Sequence, residues 1–180
     1  KGGDVIFEGP DFVKNNFATK FDSELPLPAT TSLGFGFYPS AKTTIAFDVN
    51  WVHWSVYKEL KFDYNKPTPS SEPSERNYSD GASLKLGINQ QQTEKLALRA
   101  GIGYAFTPVE DGYVTPETPD ANRVILSAGL SYDFSKKFSL DLSFLYEAIK
   151  EREQTNIETG LEGTFKTNVY IPGIGLSYKF

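Results

Sequence analysis

The only histidine, His53, stands two residues before Ser55, so on a strand an imidazole and a hydroxyl would share one face. Hydrolysis of a lipid ester would need that pair and a third group to orient the imidazole. The flanking Trp51 and Trp54 give the segment a plainer reading, an aromatic belt at a membrane–water boundary, and no catalytic residue is assigned. Lys85 and Arg99 fall on the same strand faces as Asp48, Asn50, Asp133, Asp141 and Glu147. These two cations could guide a ligand carboxylate, or the whole set could be a structural polar network. Glu110 and Asp111 lack the spacing of a calcium loop, and the chain has no cysteine, so neither a metal nor a cofactor is expected.

Such side chains need elements to hold them, and the elements announce themselves by alternation. At the end of the chain Tyr170, Ile174, Leu176, Tyr178 and Phe180 share one face, and Gly173, Gly175, Ser177 and Lys179 the other. The same two-residue period places Leu33, Phe35 and Phe37 against Ser32, Gly34 and Gly36. It places Ile45, Phe47, Val49 and Trp51 against Ala46, Asp48 and Asn50, and Leu84, Leu86 and Ile88 against Ser83, Lys85 and Gly87. Further on, Leu96, Leu98, Ile102, Tyr104 and Phe106 oppose Arg99, Gly101 and Gly103; Leu126, Leu130, Tyr132 and Phe134 oppose Ser127, Gly129 and Asp133; Leu140, Leu142 and Phe144 oppose Ser139, Asp141 and Ser143. Around Trp51 to Trp54 the parity changes, and a β-bulge there would keep Val56, Leu60, Phe62 and Tyr64 on the apolar face. A run of about 12 residues, tilted near 45°, rises about 28 Å, enough to cross the apolar band of an outer membrane.

Connections supply an independent signal. Pro39 to Ala41, Gln90 to Glu94 and Ser135 to Lys137 are tight, whereas Asn65 to Tyr78, Thr107 to Asn122 and Glu151 to Glu162 are long and polar. Strict alternation of short and long loops is the habit of outer-membrane barrels. A lipocalin-like barrel or β-sandwich would also alternate, with its apolar face inward, but has no reason to sort its loops. No run approaches the roughly 18 apolar residues of a membrane helix. The net charge of −5 and the lack of a dense Lys/Arg cluster exclude a nucleic-acid partner.

The reading is therefore all-β: an antiparallel transmembrane β-barrel in a bacterial outer membrane. Leu126, Leu140, Leu142 and Leu176 face lipid, and Trp51, Trp54, Tyr104, Phe106, Tyr132, Phe134, Tyr178 and Phe180 form interfacial girdles. Residues 27–180 read as seven transmembrane strands ending at the C-terminal Phe, and residues 1–26 as the end of a preceding strand plus an extracellular loop. An odd count does not close a single-chain barrel with both ends in the periplasm. Either upstream strands complete a larger barrel, which is the favoured reading, or Lys1 to Phe7 supplies an eighth strand.

Several short motifs occur in a telling order: Leu25-Pro26-Leu27-Pro28, Asn50-Trp51 with Trp54-Ser55 and Glu59-Leu60, Thr107-Pro108-Val109, Thr115-Pro116, Pro119-Asp120-Ala121-Asn122-Arg123, and the terminal Gly-Leu-Ser-Tyr-Lys-Phe. With these the chain resembles the C-terminal half of the FadL/TodX (OmpP1) family of outer-membrane transporters for long-chain fatty acids and other hydrophobic compounds. The resemblance implies a barrel of roughly fourteen strands, plugged by an N-terminal hatch, of which this chain holds the last seven or eight. It implies passive uptake of a hydrophobic ligand such as a fatty acid, with outer-membrane lipid and the N-terminal half of the barrel as partners. The other reading is a FadL-like barrel serving as a docking subunit of a larger outer-membrane complex. Arg123 closes the family's Pro-Asp-x-x-Arg motif, a position linked in relatives to fatty-acid transport. It could pair with a ligand carboxylate or anchor its loop through Asp120. Gly34, Gly36, Gly101, Gly103, Gly129, Gly173 and Gly175 could line a ligand passage or let a hatch approach the wall.

Overall fold

The computed structural model describes residues 2–4, 20–65 and 72–180. Seven long strands make one antiparallel meander: β1 (Thr30–Ser40), β2 (Thr43–Val52), β3 (Gly81–Gln91), β4 (Leu96–Phe106), β5 (Arg123–Asp133), β6 (Phe138–Ile149) and β7 (Asn168–Tyr178). Their order across the sheet is their order in the chain, with β1 and β7 at opposite edges and not bonded to each other.

Register turns the alternating sequence into two continuous surfaces. One row of directly opposed residues runs Phe35, Phe47, Leu86, Ile102, Leu126, Tyr146, Tyr170 across all seven strands. A slip of one residue would exchange a strand's two faces and bring glycines or polar residues, such as Gly129 on β5 and Gly173 on β7, onto the apolar side, so the belt itself specifies register. The opposite face carries the row Gly34, Asp48, Lys85, Gly103, Ile125, Glu147, Val169. The belt side chains remain open, Phe35 at 60% and Leu176 at 67% exposure. The face rich in glycine and polar groups is concave.

The two ends of the sheet are built differently. At one end the strands turn within a few residues, and small hydroxyls close the turns. Thr93 Oγ1 accepts from the Lys95 and Leu96 amides, and Ser135 Oγ from those of Lys137 and Phe138. At the other end the long connections contain short strands of their own. Glu59–Leu60 pairs with Ser74–Glu75, and Arg152–Thr155 with Glu162–Phe165. These loops meet in a small core of Tyr78, Val109 and Val114, flanked by Trp54, Tyr57, Tyr113 and Phe165.

Two expectations about the N-terminal part need correction. No bulge carries β2 through Trp54: the strand stops at Val52, and Trp54–Val56 makes a single 3-10 turn. Val56, Leu60, Phe62 and Tyr64 belong to the loop, where Phe62 packs edge-on against Phe21 with ring centroids 5.3 Å apart. Nor does Gly2–Asp4 join the wall. Gly2–Asp4 pairs with Lys20–Asp22, which pairs with Asp63–Tyr64, in a separate three-stranded sheet. The remainder of the proposed eighth strand, and most of the proposed loop from Gly9 to Glu24, lie outside the described residues.

Candidate functional site

The concave face is the surface able to meet a ligand, and its floor is shaped by small residues. At Gly34 a Cβ would lie 2.6 Å from Asp48 Oδ1, so the absence of a side chain lets the carboxylate of the next strand lie flat across the wall. The stem of Lys85 lies over Gly103 in the same manner, its Cγ 3.3 Å from where a Cβ would stand.

Three cations expected to guide a carboxylate differ in how far they are already engaged. Arg99 Nη1 donates to Ser131 Oγ at 2.6 Å and lies 3.9 Å from Asp141 Oδ1, while the Ser131 hydroxyl donates to that same carboxylate. Arg123 sits at the long-loop end of β5 between two acids, 2.6 Å from Asp120 Oδ1 and 3.8 Å from Glu147 Oε2. Lys85 stands directly opposite Asp48 in register, yet among the described residues nothing hydrogen-bonds or ion-pairs with its ammonium. It is the uncommitted cation of the wall.

Sequence reasoning missed an apolar component of this face. Ile125, Leu145 and Ile171 line the same concavity as Asp48, Lys85, Arg99 and Glu147. They sit on β5, β6 and β7, where consecutive apolar residues such as Val124-Ile125-Leu126 hide the inward member from a simple alternation count.

At the long-loop end Asp120 is a hub. Its Oδ2 accepts from Thr107 Oγ1 at 2.7 Å, its Oδ1 from Arg123, and its carbonyl from Arg152 Nη1 at 3.0 Å. Arg152 also reaches Asp111 at 2.6 Å, so the motif residues Asp120 and Arg123 tie two loops to the wall. A turn at Gly112, with φ of 87°, presses against Ile157 and would put a Cβ 2.8 Å from Ile157 Cγ2. There the left-handed backbone and the crowding both call for glycine.

His53 has a place that spacing alone did not reveal. Its Nδ1 lies 3.2 Å from Asp80 Oδ2 and its Nε2 3.1 Å from Thr31 Oγ1. Because an ionised Asp80 only accepts, Nδ1 donates to it, and the Thr31 hydroxyl, which can donate or accept, pairs with Nε2. Asp80 also takes the Trp51 indole at 3.0 Å and the backbone N–H of Ser55 at 3.0 Å. Hydrogen bonds from Ser55 and Trp51 hold its carboxyl well below the usual carboxylate range. The cluster fastens the neck of the loop between β2 and β3, and Ser55 serves it as a hydrogen-bond donor.

On the convex face, Leu126, Leu142 and Leu176 are exposed and Leu140 is half-buried between its register partners Tyr132 on β5 and Leu176 on β7. The rings gather toward the strand ends: Tyr104 with Phe106 and Trp51 at the long-loop end, Tyr132 with Phe134 and Tyr178 with Phe180 at the other. Trp54 stands apart from these, packed in the loop core 6.1 Å from Tyr78.

Comparison with known proteins agrees with this architecture. Residues 9–180 match the family described as outer membrane protein transport protein (OMPP1/FadL/TodX). The chain is 26% identical over 156 residues to the 47 kDa outer membrane protein of Pasteurella multocida, covering 87% of this chain and 36% of that one. It is 25% identical over 138 residues to the long-chain fatty acid transport protein of an Escherichia coli strain, covering 76% of this chain and 31% of the relative. A Pseudomonas aeruginosa FadL homologue superposes with a TM-score of 0.81 at 20% identity, over 88% of this chain and 37% of that structure. The Pseudomonas putida toluene transporter TodX gives 0.57 at 19% identity, over 88% of this chain and 36% of TodX. The chain thus spans about a third of the length of these proteins, and its meander superposes on part of the solved barrels. It is a chain of the bacterial outer membrane and belongs to the OMPP1/FadL/TodX family of outer membrane transport proteins.

Proposed function

We propose that this chain forms part of the wall of a passive channel for hydrophobic molecules, with long-chain amphiphiles carrying a carboxylate, such as fatty acids, as its substrates. The observation that carries this reading is the concave face itself. It joins an apolar strip of Ile125, Leu145 and Ile171 to the uncommitted ammonium of Lys85 on a glycine-floored wall. An apolar surface with a few placed polar groups is the ordinary make-up of a small-molecule site. The tail would lie along β5 to β7 and the head would meet Lys85 on β3. Arg99 and Arg123 are already engaged, by Asp141 and by Asp120 with Glu147, which leaves the head to Lys85. The remaining strands of the barrel would pair with the edges of β1 and β7, since an open edge in hydrocarbon leaves backbone groups unsatisfied at several kcal/mol each.

The test is uptake by cells whose own hydrophobic transport has been removed, producing the protein at its natural length. Oleate and an uncharged analogue, oleyl alcohol, should both enter. Lys85→Ala should slow oleate by about tenfold, the equivalent of one charge-assisted hydrogen bond, and leave the alcohol within about twofold. Uptake of neither compound would sink the transport reading. Equal slowing of both would remove Lys85 from the path.

A further inference from the structure

The tight-turn end of the wall carries a charge that the rest of the chain does not answer. Net charge is −5, yet the three turns and the tail of β7 hold five lysines, Lys42, Lys95, Lys136, Lys137 and Lys179, against one acid, Glu94. All five are exposed, and among the described residues nothing hydrogen-bonds or ion-pairs with their ammonium groups. Asp133, the last residue of β5, donates its amide to the Lys95 carbonyl at 2.8 Å, but its carboxylate pairs with none of the five. The long-loop end is different, because its cations have partners. Lys61 meets Asp63 at 2.7 Å, Arg152 meets Asp111 at 2.6 Å and Lys166 meets Glu151 at 3.0 Å.

Two of these lysines stand face to face. Phe138 on β6 is paired with Tyr178 on β7, and one step beyond them the Lys179 amide donates to the Lys137 carbonyl at 2.8 Å. Like charges directly opposed on antiparallel strands repel and cost stability, and an anion between them removes that cost. Aromatic rings bracket the same lysines. The chain runs Phe134-Ser135-Lys136-Lys137-Phe138, with the two phenyl rings stacked at 5.5 Å, and Tyr178-Lys179-Phe180, with the rings edge-on at 5.3 Å. All four rings are exposed. Such rings settle at the headgroup level of a bilayer, and a lysine at that height extends its stem to bring the ammonium to lipid phosphates. Tight turns of outer-membrane barrels lie on the periplasmic side. We infer that this rim binds the phosphates of anionic phospholipids in the leaflet at the tight-turn end, with Lys137 and Lys179 holding one headgroup between them and Lys136 beside it. The inference concerns the lipid around the barrel and is independent of what passes through it.

The experiment is electron spin resonance of spin-labelled phosphatidylglycerol and phosphatidylcholine around the natural-length protein in phosphatidylcholine bilayers, which measures the headgroup preference of the lipid in contact with protein. The wild type should favour phosphatidylglycerol about threefold at low salt and lose most of that preference in about 1 M salt. Lys136→Gln, Lys137→Gln and Lys179→Gln together should bring the ratio close to one, and the three corresponding arginine changes should keep it. Glutamine at Lys58, Lys61 and Lys150, at the other end of the wall, should leave the preference unchanged. Lys137→Gln alone keeps the test open should the triple variant fail to fold. By removing one of two opposed charges it should raise resistance to denaturant in phosphatidylcholine and lower it in phosphatidylglycerol. A wild type with no preference, a preference that survives the triple variant, an equal loss from the distant set, or a Lys137→Gln effect of one sign in both lipids overturns the inference. Binding of polyglutamate without any lipid preference would give the rim to an acidic polypeptide and overturn it as well.

Discussion

Along β1 to β7 every second residue repeats one instruction, whereas the long connections at one end of the sheet share no period. The wall has almost no buried core: its apolar belt stays exposed, and its strands are joined by ladder hydrogen bonds, the pattern a wall in lipid requires. The loops behave like a small soluble domain. They bury Val114 to 2% exposure and Tyr78 to 6%, and they cross-link through Asp120, Arg152 and Asn156. The difference teaches that one chain can use two solvents. A leucine that stabilises the wall by being exposed would have to be hidden in the loops.

A charge placed on the wall's outer face should have the largest effect. Leu142→Arg should cost roughly 2–4 kcal/mol in a lipid-folding assay, and Ser143→Arg on the concave side much less. Equal tolerance at the two positions would break the assignment of faces. Next comes the hub of the loops. Asp120→Ala leaves Arg123 only its longer contact to Glu147 and frees Thr107, and should lower loop stability by about 2 kcal/mol while the strands keep their protection in hydrogen exchange. Loss of protection in β5 and β6 as well would mean that loops and wall unfold as one unit.

The smallest effect concerns the loop neck at Asp80. Its folded pKa is lowered, so its contribution is fully present above the ordinary carboxylate range and is lost only as the pH falls through the lower folded value. Between neutral pH and about pH 5 the neck should therefore stay fastened. Asp80→Asn should raise exchange at the Ser55 amide at every pH in that window. An unchanged Ser55 amide would show that the Asp80 carboxylate does not hold the neck.

The same contrast explains what could be read in advance. Strand positions, the alternation of tight and long connections, and the faces of Leu126 and Lys85 follow from a two-residue period, which is a local property. The inward Ile125, Leu145 and Ile171 escaped because apolar neighbours on both sides mask parity. Trp54 and Phe62 looked like strand residues because they are apolar and evenly spaced from Val56 to Tyr64, yet they pack sideways within the loops. Nothing local links His53 to Asp80, 27 residues away, or Asn156 to Val114, 42 residues away. Those contacts exist only once the strands have brought the loop ends together. The arginine of the Pro-Asp-x-x-Arg motif was legible, and so was Asp120 as its partner; the second acid, Glu147, comes from the register of β6 against β5.

This chain contains no cysteine, so thiols introduced into it meet no native thiol of its own and, with any cysteine elsewhere in the protein replaced by serine, report which face meets what. The most direct measurement is labelling by a water-soluble maleimide of the natural-length protein in liposomes, with Leu145→Cys and Ile171→Cys on the concave face and Leu126→Cys and Leu142→Cys on the convex one. The concave pair should label and then become protected when oleate is added, while the convex pair should label poorly throughout. Labelling of the convex pair, or a concave pair indifferent to oleate, would contradict a wall that separates lipid on one side from a hydrophobic passage on the other.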